Sequence, residues 1–174
     1  GPNAKLNFHL HTNPASITGL ESGELDCAVG MFPNFSSKLI VEGIAVDDYV
    51  CVFRRDHPLL RDGISLTQFL SARHILVKQS FQHLSMVDTW MNLQGMERRI
   101  VVAVNATAEA LTVAMNSDLV AAVPKSYMLS VDTGAQLAWA PLPFQHDKIL
   151  YKMAWHDRTD RDPPVKWLRG IVRD

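Results

Sequence analysis

Short apolar runs alternate with short helix-like stretches along almost the whole of this chain, and that alternation restricts its fold more than any other feature. Residues 25–29, 74–78, 100–104, 119–123 and 149–155 read as strands. Between and after them, 15–22, 66–71, 86–94, 108–115 and 125–131 read as helices, with Gly23 closing the first. Segment 39–53 holds two further strand-like stretches separated by Asp47-Asp48. Alternation of this kind predicts parallel strands joined by right-handed crossovers, the α/β class.

The two ends follow the same logic. Residues 5–11 place Leu6, Phe8 and Leu10 on one side, the period-two mark of a half-buried strand, which Asn13-Pro14 stops. The last helix is the best signposted: Asp162 as cap, Pro163-Pro164 in its first turn, then Val165, Leu168, Ile171 and Val172 at helical spacing. Composition breaks at 54–58 and at Pro141 and Pro143, which suggests one lobe inserted into another. The expected division is 1–60 plus 146–174 for lobe I and 61–145 for lobe II, two Rossmann-like lobes with a cleft between them.

Of 174 residues, 47% are hydrophobic, enough for a sizeable core. The 17 basic residues are balanced by 18 acidic ones and form no long Lys/Arg run, so this stretch is not expected to hold DNA by itself. Cys27 and Cys51 lie in apolar runs and read as reduced, hydrophobic thiols. No window approaches a membrane span and no basic-then-apolar leader opens the chain, which makes the cytoplasm the expected compartment.

Catalytic and metal signatures are missing from the sequence: there is no Gly-x-Ser-x-Gly elbow, phosphate loop, His-Glu-x-x-His or Cys-x-x-Cys pair. His9 and His11 would share a strand face, but without a third ligand nearby they read as an exposed polar face. Asp47 and Asp48, adjacent and therefore opposed on a strand, read as a solvated bend. Met86, Val87, Trp90 and Met91 have the spacing of a buried helix face. No enzyme, metal or cofactor is expected.

Ligands of open α/β sheets sit at the carboxyl ends of strands. Those ends supply the candidate effector contacts: Thr12 and Asn13, then Gly30, Met31 and Phe32, in the first lobe; Gln79, Ser80 and Phe81, then Asn105 and Thr107, in the second. A helix beginning near 108 would turn free backbone N–H groups towards an acidic or polar ligand, with Thr107 or Asn105 as cap; capping alone is an equally good account of Thr107. Phe32 and Phe81 could sandwich a flat ligand or serve as core.

Four segments resemble the LysR-type transcriptional regulators. They are Leu20-Glu21-Ser22-Gly23-Glu24-Leu25-Asp26-Cys27-Ala28-Val29-Gly30, the strand from Asp48 that ends in His57-Pro58-Leu59, Ser117-Asp118-Leu119-Val120-Ala121-Ala122-Val123-Pro124, and Ala154-Trp155-His156 with Asp162-Pro163 and Trp167-Leu168-Arg169. The last signal and the His-Pro pair resemble the nodulation and naphthalene/salicylate branch most. The resemblance implies an effector-binding domain with a type 2 periplasmic-binding-protein fold, sensing a small organic inducer, aromatic compounds among the candidates. It also implies a homodimer or homotetramer in the full-length protein, with promoter DNA held only by a winged helix-turn-helix upstream of this stretch. By the same resemblance, one strand and one helix of the first lobe would precede Pro2. Where the salicylate branch often has a His, this chain has Ala106, which argues against salicylate itself. A secreted solute-binding protein of the same architecture is the alternative.

Overall fold

The computed structural model describes residues 4–9, 13–32, 36–58, 64–78, 85–131 and 135–173. They form two compact units, 1–46 with 150–174 and 47–149.

The first unit holds helix α1 (Asn13–Ser22), strand β1 (Ala28–Gly30), most of β2 (Leu39–Asp47) and of β8 (Ile149–His156), and the terminal helix α6 (Pro163–Arg173). Its three-stranded sheet runs β1-β8-β2, with β1 antiparallel to β8. Leu20, Phe32, Leu39 and Ala154 form its core. Gly23 ends α1 at φ 87°, a backbone conformation that costs glycine little, as the sequence predicts. A Cβ there would also come within 3.0 Å of the Arg158 guanidinium, which donates to the carbonyls of Leu20 and Glu21 and satisfies orphan acceptors at the helix end.

The second unit is built on a five-stranded sheet, order β5-β4-β6-β3-β7, from β3 (Tyr49–Arg54), β4 (Arg73–Val77), β5 (Arg99–Val104), β6 (Leu119–Pro124) and β7 (Leu137–Pro141). Strand β4 runs parallel to β5 and β6, whereas β3 is antiparallel to β6 and β7, so the sheet is mixed rather than all parallel. Helices cover both faces. Cys51 and Phe53 of β3 and Val120 and Ala122 of β6 pack with Phe69 of α2 (Leu66–Ser71) and Val87, Trp90 and Met91 of α3 (Met86–Leu93). The alternate residues Val50, Val52, Leu119, Ala121 and Val123 meet Ala110, Leu111 and Ala114 of α4 (Thr107–Met115) and Met128 of α5 (Lys125–Ser130). Burial on both faces is why β3 and β6 read as continuous apolar runs.

Three expectations need correction. The stretch 4–9 forms no strand and is exposed, Phe8 to 89%; period-two alternation specifies a strand only where a neighbour can pair with it. Strand β7 lies where Pro141 was read as a break. It is an edge strand, and Pro141 ends it opposite Val50, a place that tolerates the missing N–H. Finally, β3 was assigned to the first lobe with 1–60, but its ladders to β6 and β7 place it in the second unit, which begins at Asp47.

Candidate effector site

Among the described candidates, the carboxyl end of β1 carries Gly30, Met31 and Phe32. Phe32 is 3% exposed and belongs to the core with Leu20 and Leu39, while its carbonyl accepts from Lys152 Nζ at 3.4 Å. Its ring thus contributes to the core of the first unit. Asn13 opens α1, with its side chain outside the described residues. Thr12, Gln79, Ser80 and Phe81 lie outside them altogether.

In the second unit Lys78 N–H continues the parallel ladder by donating to the Val104 carbonyl at 2.8 Å. This brings the chain positions just after β4 and β5 side by side, so Asn105 and Thr107 stand at the same sheet edge as Lys78. The helix α4 begins at Thr107, with Ala106 in the cap position and no side-chain cap bond. Neither Thr107 nor Asn105 caps it, contrary to expectation. Glu109 instead reaches back from the first turn, its Oε2 accepting from the N–H of Asn105, the residue before the cap position, at 3.0 Å, a favourable place for a carboxylate. An acidic ligand at this end would meet a negative charge already in place.

The other sequence candidates resolve into structure. Asp47 accepts from Ser126 N–H and Oγ at the start of α5, while Asp48 pairs with Lys148 and His146, so the two carboxylates serve different partners and form no acid/base pair. Met86 lies partly buried against the core that contains Val87, Trp90 and Met91, as their spacing predicts. Cys27 and Cys51 are free; burial pushes their thiols up to about 11 and about 12, which leaves them protonated and unreactive near neutrality. His11 lies outside the described residues, and among those described no three His, Cys, Asp or Glu side chains cluster as a metal site.

Two of the resembling segments make contacts that explain their residues. Arg54, at the end of β3, donates to Asp118 of the Ser-Asp turn, Nε to Oδ1 2.7 Å. In the C-terminal signature the guanidinium of Arg169 lies 4.1 Å over the Trp155 ring and bonds Asp160 Oδ1 at 2.7 Å, and the indole N–H of Trp155 donates to the same oxygen at 3.0 Å. The tryptophan, aspartate and arginine thus lock β8 to α6.

The family model described as the LysR substrate binding domain matches residues 1–174, the whole chain. The chain belongs to this family. Similar LysR-type proteins include the HTH-type transcriptional activator NahR of Pseudomonas putida, 28% identical over 173 residues, covering 99% of this chain and 58% of that protein. NagR of a Ralstonia species is 29% identical over 152 residues, 87% of this chain and 50% of that protein. The LysR domain here thus spans about half the length of these relatives. Among solved structures, a putative transcriptional regulator from Vibrio parahaemolyticus superposes with a TM-score of 0.84 at 25% identity, over 99% of this chain and 79% of that one. The BenM effector binding domain with its effector benzoate superposes at 0.78 and 16% identity, over 99% and 78% of the two chains. The likeness to BenM is one of fold, the two-lobed α/β class expected from the sequence. Among the described residues no helix is long and apolar enough to cross a membrane.

Proposed function

We propose that this LysR-family domain senses a small organic effector and associates with further copies of itself in a longer, cytoplasmic DNA-binding regulator. The observation that carries the reading is the end-to-end family match, together with relatives named as transcriptional activators and regulators. The effector contacts are proposed at Thr12, Asn13, Gly30, Met31 and Phe32 in one lobe and at Gln79, Ser80, Phe81, Asn105 and Thr107 in the other. Sensing of this type makes and breaks no bond. It needs only an effector affinity that differs between two states of the regulator. A balanced net charge of -1 fits a domain that leaves promoter DNA to a winged helix-turn-helix elsewhere in the protein.

A thermal-shift screen of aromatic acids, phenolics, quinolones and amino-acid metabolites tests this reading, because a ligand that binds only the folded chain raises its melting temperature. A hit that shifts the midpoint in a dose-dependent way supports it; turnover of the hit would point to an enzyme instead. Sedimentation at several concentrations tests self-association, which a strictly monomeric chain would contradict.

A further inference from the structure

Three polar side chains are sunk into the α2/α3 face of the five-stranded sheet. His74 is 0% exposed and Asp88 8%, and the Arg98 side chain retains 3%. The backbone register brings two of them together. In the parallel pair β4/β5, Arg73 stands opposite Arg99 and His74 opposite Ile100, so Arg98, the residue that leads into β5, enters the sheet beside the start of β4 where His74 lies.

The hydrogen bonds of this cluster can be followed almost to closure. Arg98 grips Asp88 as a fork, Nε to Oδ1 at 2.6 Å and Nη2 to Oδ2 at 3.1 Å, with Nη2 also 3.3 Å from Ser85 Oγ. Ser85 is the N-cap of α3 and accepts from the Asp88 N–H. On the other side, His74 Nε2 lies 2.7 Å from the Phe69 carbonyl, near the end of α2. A carbonyl only accepts, so Nε2 carries the ring proton and Nδ1 is left as a lone pair. Two buried atoms of this cluster then have no partner among the described residues: His74 Nδ1, an acceptor, and Arg98 Nη1, a donor.

An unpaired buried donor and an unpaired buried acceptor in one cluster are both costly, and they are complementary. Water donates and accepts at once, and buried waters typically sit among two to four polar groups. The Arg98 charge is also felt at the His74 ring, which fits their nearness.

We propose that one ordered water molecule bridges Arg98 Nη1 and His74 Nδ1, donating to the imidazole and accepting from the guanidinium. This closes a buried chain of hydrogen bonds that runs from the Phe69 carbonyl of α2, through His74, the water, Arg98 and Asp88, to the Ser85 cap of α3. The water thereby ties the end of one covering helix to the start of the other.

The test uses the unmodified chain. A crystal structure at a resolution that shows ordered solvent should place one water within about 2.7–3.2 Å of both atoms. A direct contact between Nδ1 and Nη1, or a water touching only one of them, would overturn the proposal. Long-range 1H–15N correlation of His74 gives an independent readout in solution: a neutral ring with its proton on Nε2, and Nδ1 shifted as a hydrogen-bonded acceptor. A proton on Nδ1 would set two donors against each other and equally overturn it.

Discussion

Asp48 and His146 face each other beside the two points where the chain passes between the units, with carboxylate Oδ1 3.5 Å from ring Nε2. Lys148 pairs with the other carboxylate oxygen, and Trp90 lies 5.2 Å from the His146 ring at a tilt of 34°. Asp47, the preceding residue, is fastened to Ser126 of α5. The first passage is therefore fastened to α5, and the second to Asp48 and to Trp90 of α3.

Burial works against the charge on Asp48, yet the hydrogen bond from Lys148 and the neighbouring His146 and Lys148 outweigh it and hold its carboxyl below the usual range. Asp48→Asn should cost about 1 kcal/mol near neutral pH, a modest figure because the side chain remains one-third exposed. A depressed carboxyl contributes stability that is present above its unfolded pKa and is lost as pH falls through the folded one. The gap between wild type and variant in urea denaturation should therefore close below about pH 4. A gap unchanged at pH 3 would refute the ionic account.

His74 gives the opposite type of group the same pH direction. Burial pushes its ring down to about 4, so the folded chain keeps it neutral while the unfolded chain takes up a proton at an ordinary histidine pKa. Its contribution is complete above the unfolded pKa and falls as pH drops from about 6.5 to about 4, by up to roughly 3 kcal/mol. Chemical denaturation between pH 7 and pH 4.5 should show a slope in wild type that His74→Phe flattens. Parallel slopes would contradict this.

Arg169 is held over the Trp155 ring and against Asp160, with its side chain 7% exposed. Arg169→Ala should destabilise the chain by about 3 kcal/mol, through the lost stack and the severed Asp160 bonds. Asp160→Asn, which keeps most of the geometry, should cost clearly less. Denaturation midpoints of the two variants check the order, and equal losses would show that the stack contributes little.

Glu109 holds the N–H of Asn105, one of the residues proposed to contact the effector. If the effector is a carboxylate bound at this helix start, Glu109→Gln should tighten it two- to fivefold, about 0.5–1 kcal/mol of removed repulsion, and leave uncharged phenolics unaffected. Calorimetric titration of an aromatic acid and its amide analogue separates the cases.

The sequence made the sheet legible where both faces are covered. The runs through Val50–Phe53 and Leu119–Val123 leave strands no other use, and the Trp155…Arg169 signature turned out to be one interlocking contact. Legibility failed where partners decide. Nothing local distinguishes Arg98, its side chain buried, from exposed Arg99 next to it; what decides is Asp88, supplied by α3, which Arg98 grips. His74 within an otherwise apolar run was the available hint of that buried cluster. The start of α4 was not legible because Thr107 carries the better capping side chain, whereas it is already the first helical residue and Ala106 stands at the cap position.

The central claim, effector sensing at the strand ends, is tested most directly by titrating the strongest thermal-shift hit into 15N-labelled chain and following the amide spectrum. The account predicts saturable shifts concentrated at Gly30, Met31, Phe32, Asn105 and Thr107. Saturable binding whose shifts spare all five, or no binding by any class in the screen, would contradict it.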